Sequence, residues 1–220
     1  MTLESSKYMG GVGALLLVIG GVGSFGTPFV SLLGLVGVIL ILVALHGMAD
    51  FYGDRGIFNN ALYAFIAGII GVVAFVGTLI VAFLSFVANL PAWAQTYINA
   101  GDWQGLATAF QQHIADFASF WDIFGSVVLT LFLALVVLFV FLVVAMFFFR
   151  RALGRLSTKT HVGLFGTAGL LMLIGAILTI VVIGLLLIWI GWILLTIAFF
   201  SIRETATAQT TSTTPPAATQ

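Results

Sequence analysis

Four polar residues at the end of the first quarter of the chain have side chains that could bind a metal ion or transfer protons. His46 and Asp50 are four positions apart, so a helix running through both would place them on one face. Asp54 and Arg55 follow directly. His46, Asp50 and Asp54 together would give a small nitrogen and oxygen ligand set, and an enzyme would have to build its site from these residues.

Ordinary loop chemistry explains the same residues without any ligand. Asp54 could pair with Arg55 or Arg150, and Asn60 could cap the helix that follows. The sequence contains no zinc-protease or phosphate-loop string, and no Ser-His-Asp set falls at one depth. It therefore predicts no catalytic residue, no metal and no cofactor. It leaves one polar cluster as a candidate site, formed by His46, Asp50, Asp54 and Arg55.

A second group of charged residues is basic and lies further along the chain, at Arg150, Arg151, Arg155 and Lys159. Such a cluster can contact anionic lipid headgroups, at about 1 kcal/mol per cation. The alternative is that these residues only set the orientation of the chain in a membrane.

Composition indicates the setting in which these residues act. Of 220 residues, 62% are hydrophobic and 6% are charged, the formal net charge is zero, and there is no cysteine. The mean hydropathy is +1.26. A soluble domain carries roughly a quarter charged residues, so a water-soluble domain is excluded. Nucleic-acid binding is excluded by the scarcity of cations, and thiolate chemistry by the absence of cysteine. The chain is predicted to be an all-α, polytopic membrane protein.

Four uncharged stretches are long enough to cross a hydrocarbon core of about 30 Å. The first (8–49) and the last (162–202) hold about forty residues each, roughly 60 Å as single helices, so each is predicted to be a hairpin. The first turn lies at Ser24–Pro28 and the last near Thr179–Gly184. Residues 1–203 are thus predicted to form a bundle of six transmembrane helices, at about 8–24, 28–48, 61–89, 122–150, 161–179 and 183–202. The alternative of a single last helix leaves five.

The charges predict the orientation of the bundle. Six spans place every basic residue on one side of the membrane, whereas the other side receives Asp102, Asp116 and Asp122. Because cytoplasmic loops carry the excess of Lys and Arg, both termini are predicted to be cytoplasmic, in the cell membrane. The tail from 204 to 220 is rich in Thr, Ala and Pro and is predicted to be disordered.

One segment between spans shows helical periodicity of its own. Apolar residues recur at steps of three and four from Trp103 to Trp121, with Asp102 placed as an N-cap. This pattern predicts one amphipathic helix over 103–121 that lies in the extracellular interface. It could form a lid or a partner surface, or it could only anchor the loop.

Two strings resemble a known family. They are Gly47–Tyr63, which contains Asp54-Arg55-Gly56-Ile57-Phe58-Asn59-Asn60, and Leu164–Gly175, with Ile197–Ile202 closing the last helix. Together they resemble the uncharacterised, mostly archaeal membrane family known as domain of unknown function 996. The resemblance covers about residues 5 to 203 and implies no activity.

No charged residue lies in the interior of a predicted span, since Asp122 and Arg150 stand at the two ends of the fourth, and this argues against a pump or a proton-coupled carrier. We therefore expect a non-enzymatic structural or accessory subunit of a larger membrane assembly. Its partners would be membrane lipids and another protein or a second copy, bound through glycine-rich helix faces such as Ala64/Gly68, although the same faces could pack inside the bundle. The alternative is a small carrier or channel for an uncharged or apolar solute.

Overall fold

The computed structural model of the chain describes residues 2–23, 28–88, 90–113 and 117–202. Within these ranges the chain is helical, joined by short turns, and contains no strand. The tail at 204–220, Arg203, and most of the Ser24–Pro28 turn lie outside the described residues. The helices are α1 (Leu3–Gly23), α2 (Pro28–Phe51), α3 (Arg55–Ala88), α4 (Ala92–Ala100), α5 (Trp103–His113), α6 (Phe117–Thr160), α7 (Leu164–Leu178) and α8 (Ile183–Phe200).

Five of the described helical segments are long and apolar enough to cross a membrane. Helix α1 is not among them, and its first turns carry Glu4 and Lys7. The all-helical class is therefore confirmed, and five helical segments in the described part of the chain are candidate membrane spans. These segments are Leu32–Phe51, Arg55–Ala88, Phe124–Thr160, Leu164–Val181 and Ile183–Phe200.

The turn between α2 and α3 is shorter than the loop predicted from the sequence. Helix α3 begins at Arg55 instead of residue 61, and α2 continues to Phe51. The physical reason is Asp54, whose Oδ1 accepts a hydrogen bond from the backbone N–H of Gly56 at 2.9 Å. Asn60 is not the cap of this helix, because its Nδ2 donates to the backbone oxygen of Gly56 inside the first turns.

The segment before α6 differs from the single helix predicted over 103–121. Helix α5 is described to His113, residues 114–116 lie outside the described part, and Phe117 already belongs to α6. The apolar periodicity continues from α5 into α6, so spacing alone could not reveal two elements. Asp102 does cap α5, since its Oδ1 accepts from the backbone N–H of Gly105 at 2.8 Å. Helix α4 was missed.

Aromatic rings hold α4 and α5 against the ends of α3 and α6. The ring of Trp93 on α4 lies 4.9 Å from Phe110 and 4.2 Å from His113, both on α5. Phe124 on α6 stacks on Phe86 of α3 at 5.5 Å and reaches Phe110 at 6.3 Å. The α4–α5 hairpin is therefore a cap on the long α3–α6 pair.

The remaining helices form two hairpins that pack side by side. Helix α1 packs on α2, where Gly13 and Gly37 bring the two backbones close together, and α7 packs on α8. The turn between α7 and α8 lies at Thr179–Val182, as the sequence predicts. The indole Nε1 of Trp189 on α8 donates to the backbone oxygen of Val18 on α1 at 3.1 Å, which joins the hairpins. Helix α6 packs on both α3 and α7, and α3 packs on α2.

Candidate functional site

The structure does not gather the four residues of the polar cluster predicted from the sequence, because it pairs His46 with Asp50 and joins Asp54 to Arg155. His46 Nε2 lies 3.6 Å from Asp50 Oδ2, one turn apart on α2, with 55% and 65% of the side chains exposed. The ring of His46 also contacts Phe58 edge-on at 4.7 Å. Among the residues that the structure describes, no three His, Cys, Asp or Glu side chains are placed to share a metal ion.

Asp54 joins α3 to α6. Its Oδ1 accepts from Arg155 Nη1 at 3.2 Å, in addition to its bond with the Gly56 backbone, and its side chain is only 21% exposed. The sequence suggested Arg55 or Arg150 as the partner of Asp54. In the structure the partner is Arg155. Arg55 is exposed at the start of α3. These contacts fix the α2–α3 turn against α6, a structural role.

The described basic residues all lie at one end of the bundle. Lys7 is near the start of α1, where its Nζ donates to the backbone oxygen of Ile202 at 2.7 Å and so binds the end of α8. Arg151 lies 4.9 Å over the ring of Phe147. Arg150 and Lys159 are exposed on the last turns of α6. Nearby, burial raises the pKa of the Tyr52 phenol.

An apolar cavity of about 420 Å³ lies between α2 and the α3–α6 pair. It extends along α3 from Ala61 to Val73, about 18 Å at 1.5 Å per residue. Trp192 of α8 forms part of its wall, and almost no polar atom lines it. The lining residues are Leu35, Val38, Ile41 and Leu42 of α2, Ala61, Ala64, Phe65, Gly68, Ile69, Val72 and Val73 of α3, Leu142, Ala145, Met146 and Phe149 of α6, and Trp192.

Small residues on α3 line the cavity. Ala61 and Ala64 are buried, and a Cβ atom added at Gly68 would meet no other atom within 4 Å. Gly71, one turn later, behaves differently, because a Cβ there would meet Cβ of Phe141 at 2.6 Å. The small-residue spacing of Ala64 and Gly68 therefore leaves space in the bundle, whereas Gly71 brings α3 close to α6.

The mouth of the cavity faces outward between α2 and α3. Leu35, Val72 and Val73 line the cavity and are also 58%, 55% and 65% exposed. A molecule entering between these side chains would come from the surface that apolar spans turn toward lipid. The inner wall, by contrast, is closed by Phe149, which is 7% exposed and whose ring lies 5.7 Å from that of Trp192.

A family model described as protein of unknown function (DUF996) matches residues 33–193. The chain belongs to this family. The DUF996 match includes every residue that lines the cavity, from Leu35 to Trp192. An uncharacterized protein of the archaeon Methanocaldococcus jannaschii is 29% identical over 206 residues, which is 93% of this chain and 95% of that one. No solved structure matches the chain.

The sequence of this DUF996 chain did not predict the cavity between α2 and α3. Its only sequence signal is the run of small residues at Ala61, Ala64 and Gly68, and α3 carries further small residues at Ala67, Gly71, Ala74 and Gly77. Such a run is usually a close helix contact in membrane proteins. Whether small residues on α3 form a close contact with α2 or leave a cavity beside it depends on where α2 lies, which the sequence of α3 does not reveal.

Proposed function

We propose that the chain is a non-enzymatic, multi-pass protein of the cell membrane that binds an apolar molecule of the bilayer in the α2–α3 cavity. The cavity is the observation that carries this proposal. Its volume of about 420 Å³ falls in the range of ligand pockets, roughly 300–1,000 Å³. Because its mouth is bordered by exposed Leu35, Val72 and Val73, a ligand can enter sideways from the lipid.

The chemistry of the lining selects the class of ligand. Ligand pockets usually combine apolar walls with a few polar groups that fix the orientation of the ligand. Here almost no polar atom contributes, so a charged or strongly polar group inside would lose its hydration without compensation. The site therefore suits a hydrocarbon chain, either a lipid tail or a free apolar solute. Binding of this kind is one requirement of the apolar-solute carrier that the sequence offers as an alternative.

Photo-crosslinking tests this binding function. The purified protein in detergent would be titrated with a phosphatidylcholine that carries a diazirine on one acyl chain, and the adducts mapped by mass spectrometry. We expect adducts on Phe65 and Met146 to saturate with probe concentration, because a cavity has a limited capacity. Adducts on Phe132, which is 65% exposed on α6 outside the cavity, should rise without saturation. Equal, unsaturated labelling at all three sites would contradict the proposal.

The topology that we propose has six spans, with both termini in the cytoplasm. Support comes from the gathering of the described basic residues at one end of the bundle, which the positive-inside rule assigns to the cytoplasm. Helix α1 has 21 residues, about 31 Å, and packs along α8 with Lys7 beside Ile202. These features favour α1 as a sixth span.

Single cysteines test the topology cleanly, because the chain has no native cysteine. With a membrane-impermeant maleimide, we expect Gln104→Cys on α5 to react in intact cells. Thr2→Cys and Thr158→Cys should react only after the cells are permeabilised. If Thr2→Cys and Thr158→Cys react from opposite sides, the number of spans is odd and the six-span topology is wrong.

A structural or accessory subunit of a larger assembly is the second candidate function. Helices α3 and α6 have 34 and 44 residues, about 51 and 66 Å, which exceeds a hydrocarbon core of about 30 Å. Together with α4 and α5 they extend beyond the bilayer, where Trp103 is 66% exposed. A partner could bind this cap.

Native mass spectrometry of mild detergent extracts should then detect a complex, and a Trp103→Gln variant should weaken it. A solitary monomer in such extracts would exclude this role.

A further inference from the structure

The tip of the α7–α8 hairpin is apolar where a turn on a water-exposed surface is usually polar. The residues from Leu178 to Leu186 include one polar side chain, Thr179, whose Oγ1 donates back to the Gly175 backbone oxygen at 2.9 Å. Ile180, Val182 and Ile183 are 74%, 69% and 62% exposed. Exposed apolar residues grouped in this way mark a surface that contacts another protein or the membrane.

The length of the hairpin indicates what covers the tip. Helix α7 with its short turn spans 18 residues, and α8 also has 18, about 27 Å each. The hydrocarbon core is about 30 Å thick. The base of the hairpin is fixed at the basic end of the bundle, because Lys7 Nζ binds the Ile202 oxygen there. Starting from that level, the tip reaches at most the opposite edge of the hydrocarbon.

The backbone of the tip is suited to an environment without water. Val182 N–H donates to the Thr179 oxygen at 3.0 Å, and Leu185 N–H donates to the Val182 oxygen at 3.0 Å. Backbone within a membrane has no water to bind, and these two bonds satisfy the N–H groups of Val182 and Leu185 internally. Turns in water that need a positive φ usually use Gly, Asn or Asp. Here a valine, Val182, has φ +64°.

We propose that the α7–α8 tip, residues Thr179–Ile183, lies among the acyl chains of the leaflet opposite the basic end and is not exposed to water. The hairpin then anchors one side of the bundle in that leaflet, while α3 and α6 continue into water on the same side. The partner of the tip is lipid hydrocarbon. This inference does not depend on the cavity or on its ligand.

A fluorescence-quenching experiment tests the proposal in the full chain. Val182→Cys would be labelled with a small bimane probe, reconstituted in phosphatidylcholine vesicles, and compared with Gln104→Cys on the water-exposed cap. We expect lipids with a doxyl group on the acyl chain to quench the Val182 probe strongly. Quenching by aqueous iodide should be several-fold weaker than for the Gln104 probe.

Two outcomes would overturn the proposal. Equal iodide quenching at both positions would place the tip in water. Quenching by neither reagent would mean that a second copy of the chain covers the tip. Ile180→Cys provides an independent measurement should the Val182 variant fail to fold, since Ile180 is the most exposed large apolar residue described in the chain.

Discussion

Replacing Gly68 with leucine is expected to reduce saturable lipid adducts in the α2–α3 cavity by about tenfold. A Cβ atom at this position meets nothing within 4 Å, so the added isobutyl group would occupy the cavity itself. A ligand that still entered would be overpacked, at a cost of about 1–3 kcal/mol. Since 1.4 kcal/mol corresponds to about a factor of ten in affinity, a tenfold loss is the central expectation.

The matched control for this variant is Gly77→Leu on the same helix. Gly77 also has no atom within 4 Å of an added Cβ, but it does not line the cavity. Both variants remove a glycine from the interior of α3, and both gain roughly 0.8 kcal/mol or less of helix propensity. The two proteins should therefore be equally stable, and only Gly68→Leu should lose binding. Equal adducts at Phe65 and Met146 in both variants would contradict a ligand site in the cavity.

The end of the bundle that carries the basic residues and the turn of the last hairpin could be predicted from the sequence, because each prediction depends on few residues. Counting the spans predicts that the basic residues lie at one end of the bundle. The structure places Lys7 and Lys159 at that end. The turn at Thr179–Val182 was predicted from length alone, because forty apolar residues cannot form one span. Both predictions use only the thickness of the membrane and the positions of residues along the chain. Neither requires knowing which distant residues are in contact.

The cavity, the partner of Asp54 and the α4–α5 cap depend on contacts between distant parts of the chain. Asp54 binds Arg155, which is 101 positions away, and no pattern around either residue indicates the pairing. Likewise, Gly68 and Gly71 occupy similar positions in the sequence of α3, yet one faces space and the other packs on Phe141. Apolar spacing identifies the face of a helix, but not what that face meets.

Replacing Gly184 with alanine is expected to destabilise the protein by about 3 kcal/mol, at the upper end of overpacking costs. An added Cβ would collide with the backbone oxygen of Gly175, the backbone nitrogen of Thr179 and the carbonyl carbon of Leu178. All three atoms are backbone, so no side chain can rotate away, and α7 would have to separate from α8.

The denaturation midpoint in detergent and SDS measures this effect, with Gly77→Ala as the matched control. Gly77 lies in open space, so alanine there removes a helical glycine at no steric cost and should leave the midpoint unchanged or raise it. Gly175→Ala should give an intermediate loss, because its Cβ would meet the Gly184 oxygen at 2.8 Å, Ile188 Cγ1 at 2.9 Å and the Ile188 backbone nitrogen at 3.0 Å, all longer than the closest contact at Gly184. If Gly184→Ala were as stable as Gly77→Ala, α7 and α8 could not be packed as closely as the structure has them. The short hairpin, and the depth inferred for its tip, would then require a different geometry.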